Sequence, residues 1–250
     1  MVEFCVRLAE VNISVKALFE STKSYCRDYL VDEKNADVSL AIAEGDILAE
    51  RIKAQHEYAL EGISAPLPSD AYLETLALYR KIADAIIEYD VLLFHGSAIA
   101  VDGEAYIFTA KSGTGKSTHT RLWREHFGER AVMVNDDKPL IRVKDGVSTV
   151  FGTPWCGKHN LGANISAPLK AICILERAAE NSIREAQPIS EFPKLLSQTY
   201  RNGDRDFMQR LVALLDRMIH SASVYRLGCN MDPEAAIVSY NGMRGKNSEA

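Results

Sequence analysis

The chain has 250 residues, 47% of them hydrophobic and 25% charged, with a formal net charge of −5. These are the proportions of an ordinary globular protein, long enough for one large domain or two small ones. The acidic balance gives no support to a broad nucleic-acid-binding surface, so no nucleic acid is expected as a partner. The five cysteines (Cys5, Cys26, Cys156, Cys173 and Cys229) are widely spaced and form no Cys-x-x-Cys pair. That argues against a disulfide framework and against structural zinc. The first residues are charged and lack the apolar core of a signal peptide, and no apolar run has the length to cross a membrane. A cytoplasmic protein without a membrane partner is expected, with its oligomeric state open.

In chain order, residues 2–16 read as one or two strands and residues 37–44 as another. A helical pattern opens at Gly45 and is broken by Pro66 and Pro68. Ser69 suits a helix N-cap, followed by Asp70 and Glu74 in the first turn. Tyr72, Leu76, Tyr79, Ile82 and Ile86 then recur at helical spacing, which predicts an amphipathic helix ending near Tyr89. Residues 1–90 are expected to form an α+β region that holds a substrate or a partner.

Strands are predicted over 92–101 and 105–110, with Asp102-Gly103 between them as a tight hairpin turn. The second strand runs into Ala110-Lys-Ser-Gly-Thr-Gly-Lys-Ser-Thr118. An apolar strand, a glycine-rich turn ending Gly-Lys-Ser-Thr and an immediate helix are the elements of a P-loop. In such a loop the backbone N–H groups of Ser112, Gly113, Thr114, Gly115, Lys116, Ser117 and Thr118 would cradle a polyphosphate at a helix N-terminus. Lys116 would reach the outer phosphates and the Ser117 hydroxyl would ligate magnesium. One position departs from the pattern: Ala110 stands where the first glycine belongs. The expected cofactors are ATP and Mg²⁺.

A short strand over 131–135 ends in Asp136-Asp137, and strands over 139–143 and 147–151 flank a second hairpin turn, Asp145-Gly146. Residues 152–160 form a predicted loop that gathers Trp155, Cys156, Lys158 and His159. Chemistry concentrated on a loop suggests a binding surface, with Lys158 neutralising phosphate and Trp155 excluding water or stacking on a ligand. Alternatively, Trp155 simply covers an edge of the core. A β-prone run follows over 169–176, then helices over 190–200 and 204–220. A strand over 223–227, a last helix begun by Asp232-Pro233, and a polar tail over 243–250 complete the chain. Hairpins on both sides of the P-loop exclude an all-parallel sheet. The expected fold class is therefore α/β, with a mixed, hairpin-containing sheet around a P-loop helix over 91–242.

Three segments together carry a resemblance: Phe94-His-Gly-Ser-Ala98, Ser112-Gly-Thr-Gly-Lys-Ser117 and Val134-Asn-Asp-Asp137. In this order and spacing they resemble HPr kinase/phosphorylase and its small-kinase relatives, whose nucleotide-binding core is shared with phosphoenolpyruvate carboxykinase. The resemblance covers about a third of the chain. It implies transfer of the γ-phosphoryl group of ATP to a hydroxyl of a small molecule or peptide. It implies that Asp137 is the proton acceptor and Asp136 a metal or water ligand, although the residues alone allow the two roles to be exchanged. By itself His95 reads as a core histidine; the resemblance raises it to a catalytic candidate that orients an aspartate or touches the phosphate. The family's downstream glutamate metal ligand has no counterpart, since no glutamate occurs between Glu129 and Glu176. The competing expectation is a regulatory nucleotide-binding module with little or no catalysis. A GTPase is disfavoured because the guanine-reading Asn-Lys-x-Asp motif is absent.

Overall fold

The computed structural model describes residues 1–33 and 35–245, so the last part of the expected polar tail lies outside the described residues. The chain divides into two compact units, Met1–Ile86 and the remainder from Ile87 onward.

The first unit is a four-stranded sheet with three helices. Strands β1 (Val2–Leu8) and β2 (Val11–Ala17) form a hairpin whose turn residues, Ala9 and Glu10, both adopt positive φ. After α1 (Glu20–Tyr25), β3 (Leu30–Val31) pairs with β1, and β4 (Val38–Ala41) adds parallel to β2. Helix α2 (Glu44–Glu61) stops at Gly62, which takes the left-handed conformation that glycine tolerates best. Helix α3 (Asp70–Ile86) begins where Ser69 Oγ accepts from Tyr72 N, as the cap signal predicts. Its buried face is Leu73, Ala77, Leu78, Ile82 and Ile86, whereas Tyr72 is exposed. The stripe expected from Tyr72 and Leu76 is thus rotated, because buried Glu74 turns inward. Its carboxylate accepts from Leu18 N, Phe19 N and Thr22 Oγ1, satisfying open N–H groups at the start of α1.

The second unit is a mixed sheet covered by helices on both faces. Its strands are β5 (Val91–Leu93), β6 (Ser97–Val101), β7 (Glu104–Thr109), β8 (Ala131–Asn135), β9 (Leu140–Lys144), β10 (Val147–Phe151), β11 (Ser166–Arg177), β12 (Ser182–Glu185) and β13 (Ser223–Cys229). The order is β5-β9-β10-β11-β7-β6-β8, and β13 joins β11 and carries β12. Strands β7, β11 and β13 are mutually parallel, while β6 is antiparallel to both β7 and β8. Both hairpin turns fall where expected, with positive φ at Asp102-Gly103 and at Asp145-Gly146. The single strand expected over 92–101 is instead two. Strand β5 pairs with β9, the chain breaks at residues 94–96, and β6 then pairs with β7. Strand β12 carries no apolar alternation strong enough to announce it.

Period-two alternation sends the side chains to two separate cores. Ala105 and Ile107 of β7, with Ile172 and Ile174 of β11, pack beneath α6 (Arg205–Ser221) through Leu211, Leu215 and Met218. Tyr106, Phe108 and Cys173 face α4 (Lys116–Phe127) and α7 (Glu234–Met243). Helix α5 (Pro188–Leu196) lies on the α6 side. Trp123 of α4 anchors the second core, with the rings of Tyr106 and Phe108 each 5.0 Å from its own. Among the described residues no helix is long and apolar enough to cross a membrane.

Ser239 of α7 ties that helix to α4. Its Oγ accepts from Trp123 Nε1 at 2.8 Å and donates to Ala235 O at 2.8 Å. With its proton committed, it can only accept from His119 Nε2, 3.1 Å away. His119 Nδ1 is then a bare acceptor, buried without a partner. Burial pushes the His119 pKa down from 6.5 to about 4. Between those values the unfolded chain takes up a proton that the folded protein refuses, so stability falls as pH drops below 6.5. Between pH 7 and pH 5 the protein should lose about 2 kcal/mol more than a His119→Gln variant does. Urea denaturation at the two pH values checks this; equal losses would show that His119 is not held neutral.

Candidate functional site

Parallel strands expose unpaired backbone groups and loop connections at their C-terminal ends, where ligands collect in open α/β sheets. Here β8, β7 and β11 end on one edge of the sheet, and β6 starts from that same edge. The edge therefore receives Asp136 and Asp137 after β8, the glycine-rich turn after β7, and His95 just before β6. At the break between β5 and β6, Gly96 has no space for a side chain. A Cβ there would lie 2.9 Å from Ile107 Cγ2 and 3.1 Å from Phe108 O. His95 O accepts from Thr109 Oγ1 at 3.0 Å, which fixes the histidine to the last residue of β7.

The turn between β7 and α4 contains two glycines at positive φ, Gly113 (76°) and Gly115 (121°). Thr114 N and Thr114 Oγ1 both donate to Lys111 O, closing the turn before it. Helix α4 then starts at Lys116, so the N–H groups of its first turn have no intrahelical acceptor. Lys116 folds back over the turn, with Nζ 3.4 Å from Ala110 O. From outside, Arg177 at the end of β11 donates to Gly113 O (2.6 Å) and approaches Thr114 O (3.5 Å). The guanidinium thus ties the turn to the end of β11.

Two adjacent carboxylates reach one site only if the strand ends between them, and Asn135 ends it. Its Oδ1 accepts from both Asp137 N (2.8 Å) and Lys138 N (2.6 Å), forming an Asx turn. Its Nδ2 donates to Thr153 O and Thr153 Oγ1, anchoring the turn to the following loop. Asp136 is only 6% exposed and accepts from Ser97 Oγ at 2.5 Å. Ser97 in turn lies 3.1 Å from Thr120 Oγ1 on α4. Asp137 is half-buried, with Oδ1 at 3.1 Å from Lys138 Nζ and 3.4 Å from His95 Nε2.

Lys116 feels both aspartates. Burial, aided by Lys138, lowers its pKa, while Asp137 and Asp136 oppose the shift. Burial also lowers the His95 pKa to about 4, assisted by Lys138 and Lys116 against Asp137 and Gln198. The ring is thus neutral at pH 7. Gln198 Nε2 donates to Ser197 Oγ, which turns Oε1 toward His95 Nδ1 at 3.1 Å, so Nδ1 carries the proton. His95 Nε2 and Asp137 Oδ1 are then two acceptors 3.4 Å apart, close enough for one proton to be shared between them.

The structure thus brings together Lys116, Asp136, Asp137 and His95 beside the turn of residues 112–118. The loop over 152–160 divides into two parts. Trp155 is 5% exposed, its ring turned into the protein as the alternative reading of that residue expects, whereas Lys158 is exposed. Gly157 (φ 69°) backs onto Asp137; a Cβ there would sit 3.1 Å from Asp137 Cβ. Cys156 is buried and donates from Sγ to Thr153 O at 3.1 Å. Burial raises its thiol to about 11, with Asp136 and Asp137 adding to the shift, so it stays protonated and unreactive. Asp145 lies in its exposed hairpin turn, and Arg121 pairs with Glu125 at the surface. Lys138, Gln198 and Arg177 were not foreseen. Lys138 follows the double aspartate directly and could have been weighed, but the other two reach the site only through the fold.

No family model matches the chain, and no curated protein does. Among solved structures it is similar to the HPr(Ser) kinase/phosphatase from Coxiella burnetii, at 9% identity and a TM-score of 0.33. The match covers 60% of this chain and 94% of that one.

Asn135→Ala should cost about 2–4 kcal/mol, because it removes a bracket of hydrogen bonds and strands their buried partners. A urea midpoint unchanged from that of the parent would mean that the turn holds without the carboxamide.

Proposed function

We propose that the protein is an ATP-dependent kinase that transfers the γ-phosphoryl group to a hydroxyl of a small molecule or peptide. The observation that carries this is the meeting of Lys116, Asp136 and the His95–Asp137 pair at the mouth of a glycine-rich turn. The phosphates would rest on the N–H groups at the start of α4, with Lys116 on the outer ones. Among the described residues no cluster of three or more His, Cys, Asp or Glu side chains forms a metal cage. The donors present fit magnesium, which takes one or two carboxylates and fills its shell with phosphate and water. Asp136 and Ser117 would hold it, and when bound it neutralises charge on the transferring group.

The remaining steps belong to the chain itself. The acceptor O–H would donate to Asp137 Oδ1. As its oxygen bonds to the γ-phosphorus and the bond to the leaving diphosphate breaks, the proton passes to Asp137. Lys138 holds Asp137 in position, and His95 Nε2, 3.4 Å from Asp137 Oδ1, accepts a hydrogen bond from that carboxyl once it has taken the proton.

Lys116→Ala should weaken MgATP binding at least about tenfold, roughly 1.4 kcal/mol; calorimetry showing unchanged affinity would remove the phosphate-loop assignment. Asp137→Asn should leave that affinity within about twofold yet lower kcat by roughly 10²–10⁴. Transfer from γ-labelled ATP measures the latter. Full activity in the variant would place the base elsewhere, and tight binding without transfer by the parent would favour a regulatory module.

A further inference from the structure

The segment after the double aspartate is held along its whole backbone. Asp137 N and Lys138 N donate to Asn135 Oδ1. The carbonyls of Asp137, Lys138 and Pro139 accept from Gly96 N (3.1 Å), Thr153 Oγ1 (2.9 Å) and Phe94 N (3.1 Å). Proline has no N–H, so from Asp137 to Pro139 no backbone polar group is left over. This frame directs Lys138 inward: its side chain is 23% exposed, and Nζ lies 3.1 Å from Asp137 Oδ1. Among the described residues it is the one lysine or arginine paired with Asp137. We propose that Lys138 is a further catalytic residue, whose ammonium contacts the phosphoryl group during transfer and then the phosphate of the product; this rests on the kinase reading.

Reach and charge both lead there. The acceptor hydroxyl donates to the same Oδ1 that binds Lys138, and a hydrogen bond of about 2.7 Å puts its oxygen within about 6 Å of Nζ. The flexible four-carbon stem of a lysine spans the remainder. Asp137 must be ionised to take a proton, yet it stands beside a polyanion, and like charges at close range repel strongly in a partly buried site. A cation shared between the carboxylate and the phosphoryl group offsets that repulsion. As the acceptor oxygen bonds to the γ-phosphorus and the bond to the leaving diphosphate breaks, the acceptor proton passes to Asp137 Oδ1. The neutralised carboxyl donates to His95 Nε2 and no longer holds Lys138 by charge. The ammonium then stays with the transferred phosphate. The sequence offers Lys158 for this task, but Lys158 is exposed, whereas Lys138 is fixed at its backbone and at its tip.

The test needs no acceptor. MgADP with aluminium fluoride imitates a nucleotide whose γ-phosphoryl group is in mid-transfer, and calorimetry measures MgADP affinity with and without the fluoride complex. In the parent, fluoroaluminate should tighten MgADP binding about tenfold or more. Lys138→Met should leave the affinity for MgADP alone within about threefold. It should cut the tightening by about fivefold or more, and Lys138→Arg, which keeps the charge, should restore most of it. A merely structural lysine would weaken both measurements by the same factor, and that outcome overturns the inference. So does a tightening unchanged in Lys138→Met, or one absent from a parent that binds MgADP. Failure of the kinase reading shows separately, as a parent that binds neither MgADP nor MgATP, and would overturn both.

Discussion

The site depends on one side-chain amide. Asn135 is the last residue of β8, and a strand continuing past it would send Asp136 and Asp137 to opposite faces of the sheet. Its carboxamide oxygen gathers the next two N–H groups and its nitrogen ties down Thr153, so the chain turns at that point. Neither an aspartate, which lacks the donors, nor an apolar residue, which lacks both functions, can make the same bracket. The loop that follows is fitted against it: Gly157 packs on Asp137, and Gly162 leaves space for Cys156 Sγ and Val134 O.

Around that bracket the charges are opposed at close range. Two ammonium groups, Lys116 and Lys138, act on His95 and on two carboxylates in a partly buried space. The positive field of the two lysines, added to burial, keeps His95 neutral against the pull of Asp137.

The local features of the fold were readable where one short segment specifies them. Asp102-Gly103 and Asp145-Gly146 fix their turns by backbone freedom alone, Ser69 caps its helix, and continuous apolar runs mark β7 and β11. Elements set by distant partners were not readable. Residues 92–101 look like one strand, but the break at His95 follows from pairing with β9 and from contact with the segment at Gln198. The Ala9-Glu10 turn has no glycine or asparagine to announce it. The segments at 94–98, 112–118 and 134–137 were visible as short local patterns, and the fold brings them to one edge of the sheet. Gln198 lies 103 residues from His95 and Arg177 lies 64 from Gly113, and no local pattern encodes such separations.

The bond between α7 and α4 has a consequence for how the protein comes into being. Trp123 and Ser239 are 116 residues apart in sequence, and His119 and Ser239 are 120 apart. A ribosome delivers β7, the glycine-rich turn and α4 long before it delivers Ser239. Until then one face of α4, with Trp123 at its centre, has neither its hydrogen-bond acceptor nor the cover of Tyr240. Strand β11, the central partner of β7, also arrives later, as do β13 and α7. Helix α4 is therefore among the first parts of its unit to be made and among the last to be secured.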